Sequence, residues 1–281
     1  MKDKIPKIIK KELKAKVLGI KRITEGFSHY MFLVKINKKP YEVFVRFSNN
    51  KKEDFNLPKE KYIIEILKKN KVPVPKILGF TKDYMVLEKI RGERLDLIWD
   101  SLLKKEKIQI TEKIGRLMRD IHKIKFSRFG KIGEKGKIKS DLSFKFRKMG
   151  ERLEYNTWLR EHLRLITDDL SRLASYNKIS KEFLKDFSLF LFENIDKIRY
   201  NGKPTLVHGD FHTGHLFVKK INGEYKIVGL IDFEFANSFA PEFDFIKLDR
   251  EGFFDIPELK KALEKGYGEL NPESVKIYRL T

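Results

Sequence analysis

Apolar and polar residues alternate along three early stretches, KVLGIKRIT, HYMFLVKIN and YEVFVRF, at the two-residue period of half-buried strands. EGFS and NKKP separate them with turn residues, which predicts an antiparallel meander. Ahead of the first strand, residues 5 to 14 have the pattern of a short basic helix. PKEKYIIEILKKN then repeats apolar residues at intervals of three and four, with Pro58 at a helix start, before VPVPKILGF and YMVLEKI return to strand. The predicted order is three strands, a helix and two strands.

From about Leu95 the helical period takes over, in LIWDSLL, IQITEKIGRLMRDIHKI, WLREHLRLITDDLSRLASY and SKEFLKDFSLFLFENIDKI. Strands return near residue 204 as TLV, HLFVKK and YKIVGLIDF, read as the arms of a hairpin turned at INGE, and PEFDFIKL and PELKKALEKGY close the pattern with helices. This predicts an α+β chain with a tight boundary near residue 91. Residues 1–91 would form a small sheet-based lobe, and residues 92–281 a larger, mainly helical one.

Composition excludes several classes. With 41% hydrophobic and 12% aromatic residues, evenly spread, the chain is too apolar to be disordered. No apolar run reaches the roughly 18 residues a membrane span needs, and lysines interrupt MKDKIPKIIKKELKAKV where a signal core would lie, so the expected location is the cytoplasm. The chain has no cysteine, which excludes disulfides and thiolate metal sites. Its 61 basic and 40 acidic residues leave a charge of +21, a field that favours polyanionic partners, RNA among them. The abundance of Lys, Glu and Ile fits heat adaptation equally well.

One segment concentrates chemistry. In LVHGDFHTGHLFV, His208, His212 and His215 surround Asp210, and GLIDFE follows with Asp232, 22 residues after Asp210. Three histidines at this spacing form a zinc set on paper, yet the segment reads as loop and the spacing does not align them on one helix face. Bracing the loop is the plainer reading of His208 and His212. A phosphoryl-transfer reading uses more of the chain. Gly26 and Ser28 lie in a turn between strands where backbone amides can approach phosphates. Arg46 on a following strand supplies a fixed cation, and Glu60 on the next helix can hold it. The strand from Met85 to Lys89, with Met85, Leu87, Glu88 and Lys89, can offer backbone groups and apolar faces to a purine. Asp210 and Asp232 would divide proton handling and cation binding.

These features in this order resemble the aminoglycoside phosphotransferase and choline kinase family, relatives of the protein kinases. H-G-D-x-x-x-x-N followed by I-D-[FW]-[EG] is matched by HGDFHTGH and GLIDFE, and the similarity runs through KKNKVPVPKILGF, RLMRDIH and APEFDF. The resemblance implies a two-lobed kinase-like fold with nucleotide in its cleft and transfer of the γ-phosphoryl group of ATP or GTP to a hydroxyl. It makes Asp210 the catalytic base, Asp232 the main ligand of Mg2+ or Mn2+, Arg46 and Glu60 the clamp pair, and Asp244 structural. Two positions depart from the usual pattern. Arginine replaces the commoner lysine at 46, keeping a permanent charge and bidentate geometry. His215 stands where an asparagine usually binds a second metal, as in macrolide phosphotransferases and one aminoglycoside subgroup. A nitrogen ligand there implies a shift toward manganese.

The acceptor is the open question. Between Asp232 and Leu270 ten acidic residues face five basic ones, and by family position Asp249, Glu251 and Asp255 would line a site for a polycationic small molecule. Lys104 to Arg152 has the opposite balance, seventeen basic against six acidic, which fits an anionic acceptor better. A kinase acting on RNA or protein, and a nucleotide-binding pseudokinase, are therefore the alternatives to a small-molecule phosphotransferase.

Overall fold

The computed structural model describes residues 1–23, 30–48, 57–139, 180–194, 197 and 200–280. The expected phosphate turn with Gly26 and Ser28, and the expected helix around Trp158, lie outside them. In chain order the helices and strands are α1 (Ile5–Leu13), β1 (Val17–Ile23), β2 (Tyr30–Ile36), β3 (Glu42–Phe47), α2 (Leu57–Lys69), β4 (Ile77–Phe80), β5 (Tyr84–Glu88), β6 (Glu93–Arg94), α3 (Leu95–Ile98) and α4 (Lys104–His122). They continue with β7 (Gly130–Ile132), β8 (Ile138–Lys139), α5 (Lys181–Asn194), β9 (Thr205–Val207), β10 (Leu216–Ile221), β11 (Glu224–Leu230), β12 (Asn237–Phe239), α6 (Ile246–Arg250), α7 (Pro257–Tyr267) and α8 (Pro272–Leu280). This is the α+β content that the apolar periods predict, with Pro58 in the first turn of α2, where a missing N–H costs nothing.

Two compact units result. The first comprises Met1–Glu106, Gly133–Gly136 and Thr213–Glu234, and the second Lys107–Ile132, Lys137–His212 and Phe235–Thr281. In the first unit, five antiparallel strands run in the order β1-β2-β3-β5-β4. The pleat sorts their side chains. Phe32, Val34 and Ile36 of β2 and Val43, Val45 and Phe47 of β3 form a core with Ile5, Ile8 and Ile9, the apolar stripe of α1. Phe44 and Arg46 alternate with the β3 core residues and so belong to the opposite face. Residues 92–106 remain in this unit because β6 pairs with β10, opposing Phe217 to Arg94 and Val218 to Glu93.

The hairpin of β10 and β11 turns at Asn222 and Gly223, both with positive φ, 53° and 81°, the conformation that joins twisted strands in two residues. TLV is not an arm of that hairpin. As β9 it pairs with β12 in a separate four-stranded sheet, β8-β7-β12-β9, within the second unit. Three residues carry too little alternation to identify a pairing partner.

In the second unit, Val207, Phe239, Ala240, Ile246 and Tyr278 gather strands and helices into one cluster. Backbone meets backbone where α4 crosses α7. A Cβ on Gly115 would lie 2.4 Å from the Leu263 carbonyl oxygen, and one on Gly266 would lie 2.1 Å from that of Glu112. Among the described residues no helix is long and apolar enough to cross a membrane.

This contact gives the first expected outcome. Gly266→Ala must separate two backbones and should destabilise the protein by about 1–3 kcal/mol. Gly19→Ala, whose added carbon would meet only the Lys35 Cβ at 4.0 Å, should change stability by no more than about 0.5 kcal/mol. Paired denaturant titrations check both.

Candidate functional site

In the first unit the pleat of β3 and the first turn of α2 bring Arg46 against Glu60, with a direct hydrogen bond between guanidinium and carboxylate. The same guanidinium lies 3.7 Å from Asp232 Oδ1 and 3.5 Å from Glu234 Oε2, so one cation is shared by three carboxylates. Arg46 is 12% exposed and Glu60 4%, and their interaction is therefore screened little by water. Burial pushes the Glu60 carboxyl above its usual range. Arg46 opposes that shift, while Asp232 and Glu234 add to it. Glu60 Oε2 and Asp232 Oδ1 are buried with no hydrogen-bond partner among the described residues.

Asp232 lies two residues past the end of β11 and has φ 69°, left-handed geometry that aspartate tolerates better than most side chains, at a cost of order 1 kcal/mol. His215 ends the turn Thr213–His215 and places Nε2 3.5 Å from Asp232 Oδ2, while its carbonyl accepts from the Ile231 N–H at 3.1 Å. A cavity of about 350 Å³ opens beside this charge cluster. Its apolar walls include Ile23, Met31, Phe44, Ile64, Leu87 and Phe217, and its polar rim includes Glu88 and Lys89. Five expected nucleotide residues, Arg46, Glu60, Leu87, Glu88 and Lys89, thus share one cavity with Asp232. Lys89 reaches Glu42 at 2.8 Å, and Met85 is fully buried without lining the cavity.

In the second unit, Asp244 is the fixed point. Its buried carboxylate accepts the backbone N–H groups of His208 and Gly209, both at 2.8 Å, and lies 3.0 Å from His122 Nε2. His122 Nδ1 lies 2.9 Å from the hydroxyl of Tyr267, whose burial pushes that phenol upward. Gly209 is required sterically: its φ is 80°, and a Cβ would come within 2.3 Å of the Phe235 carbonyl oxygen. His208, 1% exposed, accepts the Asp210 N–H at Nδ1 over 3.3 Å. The chain is thereby set to present the Asp210 carboxylate, which lies 3.1 Å from Lys247 Nζ and 3.8 Å from His212 Nε2.

The three acidic residues expected at an acceptor site have different surroundings. Glu251 lies 3.9 Å from His212 Nδ1, Asp255 is exposed, and Asp249 is buried and bound by Arg279 at 2.8 Å. Sequence reasoning missed three contributors: Glu234, Lys59, which donates to the Glu234 carbonyl at 2.7 Å, and Lys247. Glu234 had a visible signal, two residues after Asp232 in GLIDFE. Lys247 had none, because its contact depends on where α6 lies against Asp210.

The profile of the family described as "Phosphotransferase enzyme family" matches residues 19–278. Among solved structures, the streptomycin–ATP–APH(2'')-IIa ternary complex is similar, with a TM-score of 0.64 and 18% identity over 97% of this chain and 84% of that one. The GDP and kanamycin complex of APH(2'')-IIIa has a TM-score of 0.63 and 15% identity, over 97% and 85%. Macrolide 2'-phosphotransferase MphH from Brachybacterium faecium has a TM-score of 0.66 and 12% identity, over 99% and 88%. At these identities the likeness is one of fold. None of the curated proteins matches the chain.

Removing the shared cation should be costly. Arg46→Ala leaves buried carboxylates uncompensated and should destabilise the protein by about 3–5 kcal/mol, with Glu60→Gln in the same chain restoring part of the loss. The folded state already holds the Glu60 proton more tightly than the unfolded chain does. The Arg46→Ala deficit should therefore widen as pH rises through the folded pKa and narrow in acid. Denaturant unfolding across pH measures it, and a deficit that grew in acid would contradict this account.

Proposed function

Because the chain belongs to the phosphotransferase enzyme family, we propose that it transfers the γ-phosphoryl group of ATP or GTP to a hydroxyl of a sugar-like small molecule. The observation that carries this reading is the cavity in the first unit, with apolar walls on one side and the Arg46 guanidinium facing three carboxylates on the other. The walls suit a purine, and the β5 segment ending at Glu88 and Lys89 supplies backbone groups for its edge. Arg46 is the cation for the donor's phosphates, and Glu60 keeps it in place. Relatives with ATP and with GDP in their names support a nucleotide donor.

The donor set fits a divalent cation. The carboxylates of Glu60, Asp232 and Glu234 gather around Arg46, and Asp232 Oδ1 is a buried oxygen without a hydrogen-bond partner among the described residues. Asp232 would hold Mg2+ or Mn2+, with His215 beside it. When bound, the ion would neutralise phosphate charge and make the γ-phosphorus more electrophilic. Asp210 orients the acceptor hydroxyl and takes its proton. The acceptor oxygen bonds to phosphorus as the bond to the β,γ-bridging oxygen breaks, and the nucleoside diphosphate leaves with that electron pair. His208 and Asp244 fix the backbone from which Asp210 acts. Of the three acidic side chains expected at the acceptor, Glu251 and Asp255 are exposed, whereas Asp249 is engaged by Arg279.

Labelled ATP and GTP, offered with Mg2+ and with Mn2+, test the reading. Transfer or hydrolysis should fall at least about a hundredfold in Asp210→Asn. Asp232→Asn should in addition lose the rise in melting temperature that metal and nucleotide give together. Nucleotide binding with no Asp210-dependent turnover would leave a pseudokinase instead. His215→Asn should move the metal preference from Mn2+ toward Mg2+, and an unchanged ratio would remove His215 from the metal's surroundings.

A further inference from the structure

Lys247, on α6, forms an ion pair with Asp210: its Nζ lies 3.1 Å from Oδ1, and the lysine and aspartate side chains are 44% and 23% exposed. The pair is therefore within reach of a molecule arriving from solvent, and nothing in the phosphoryl-transfer reading so far uses the lysine. A base that meets a neutral hydroxyl has no need of a second charge beside it. A base that works next to an acidic group on the acceptor does, because that group and the carboxylate would otherwise repel each other. When Asp210 turns to the acceptor hydroxyl, the Lys247 ammonium beside it is a cation that can meet such a group.

The acidic side chains that would attract a polycation are weakened in the same unit. Asp249 is 3% exposed and held by Arg279 at 2.8 Å, and Glu251 lies 3.9 Å from a nitrogen of His212. The sequence from Lys104 to Arg152 adds seventeen basic residues against six acidic ones. Resting on the assignment of Asp210 as base, we infer that the acceptor is a small hydroxyl compound bearing a carboxylate or phosphate next to its reacting hydroxyl, and that Lys247 selects it.

Matched acceptors test this: gluconate against glucitol, and glucose 6-phosphate against glucose, with kanamycin as polycation and bulk RNA as polyanion. The wild type should give the acidic member of at least one pair a kcat/KM at least about tenfold above its neutral partner. Lys247→Ser should erase that preference mainly through KM, whereas Lys247→Arg should keep it. Melting curves of the half-exposed position verify that both variants fold. Preference for a neutral acceptor or for kanamycin, transfer to RNA alone, no transfer to any small acid, or a preference that survives Lys247→Ser each overturns the inference. Asp210→Asn separates the two levels. If it silences nucleotide turnover while the acceptor preference fails, the reaction stands and only the role of Lys247 falls; if turnover persists in Asp210→Asn, the base assignment itself falls.

Discussion

The polar interior of the first unit is organised by one buried guanidinium. Each pair of unit charges about 4 Å apart near a protein surface interacts by roughly 4 kcal/mol, and three carboxylates around Arg46 repel one another on the same scale. Arg46 does not balance all three by itself, and the buried Lys59 ammonium also favours the charged form of Glu60. Secondary structure decides which groups are forced together: the β3 pleat puts Arg46 opposite the apolar face, the first turn of α2 presents Glu60 where a helix N-terminus favours a carboxylate, and the segment after β11 delivers Asp232 and Glu234. Such an arrangement is poor as a stabilising device, and the proposed metal–nucleotide donor would relieve it.

The second unit handles a buried anion differently. Asp244 accepts two backbone N–H groups and has an imidazole nitrogen 3.0 Å away, so several groups hold its carboxylate at once. The energy of that anchoring goes into fixing a backbone, and the carboxylate it positions, Asp210, is left partly open. Rigid support beneath an accessible group is what proton handling requires.

Much of this was legible in the sequence because it depends on short-range rules. Alternation in YEVFVRF determines that Arg46 and Val45 face opposite ways, and the spacing in PKEKYIIEIL puts Glu60 on the same helix face as Ile63, Ile64 and Leu67, where it is buried. The motif around Asp210 carried its own steric reason, since only glycine fits before it. What escaped depends on how distant segments meet. TLV pairs with NSF, which three residues cannot announce. Asp249 counts as acidic in any charge tally, yet it is buried against Arg279. Lys247 lies 37 residues from Asp210 in sequence, and only α6 brings them together.

The hairpin turn at Asn222 and Gly223 has a practical side. A Cβ at Gly223 would meet nothing within 4 Å, and Glu224 beside it is exposed. The chain contains no cysteine, so Glu224→Cys would carry its sole thiol. Two strands of this length span roughly 20 Å, which puts a fluorophore or spin label on that thiol at one end of a hairpin whose other end leads toward Asp232. The fold thus comes with a ready attachment point for spectroscopy, held apart from the charge cluster by the length of the hairpin.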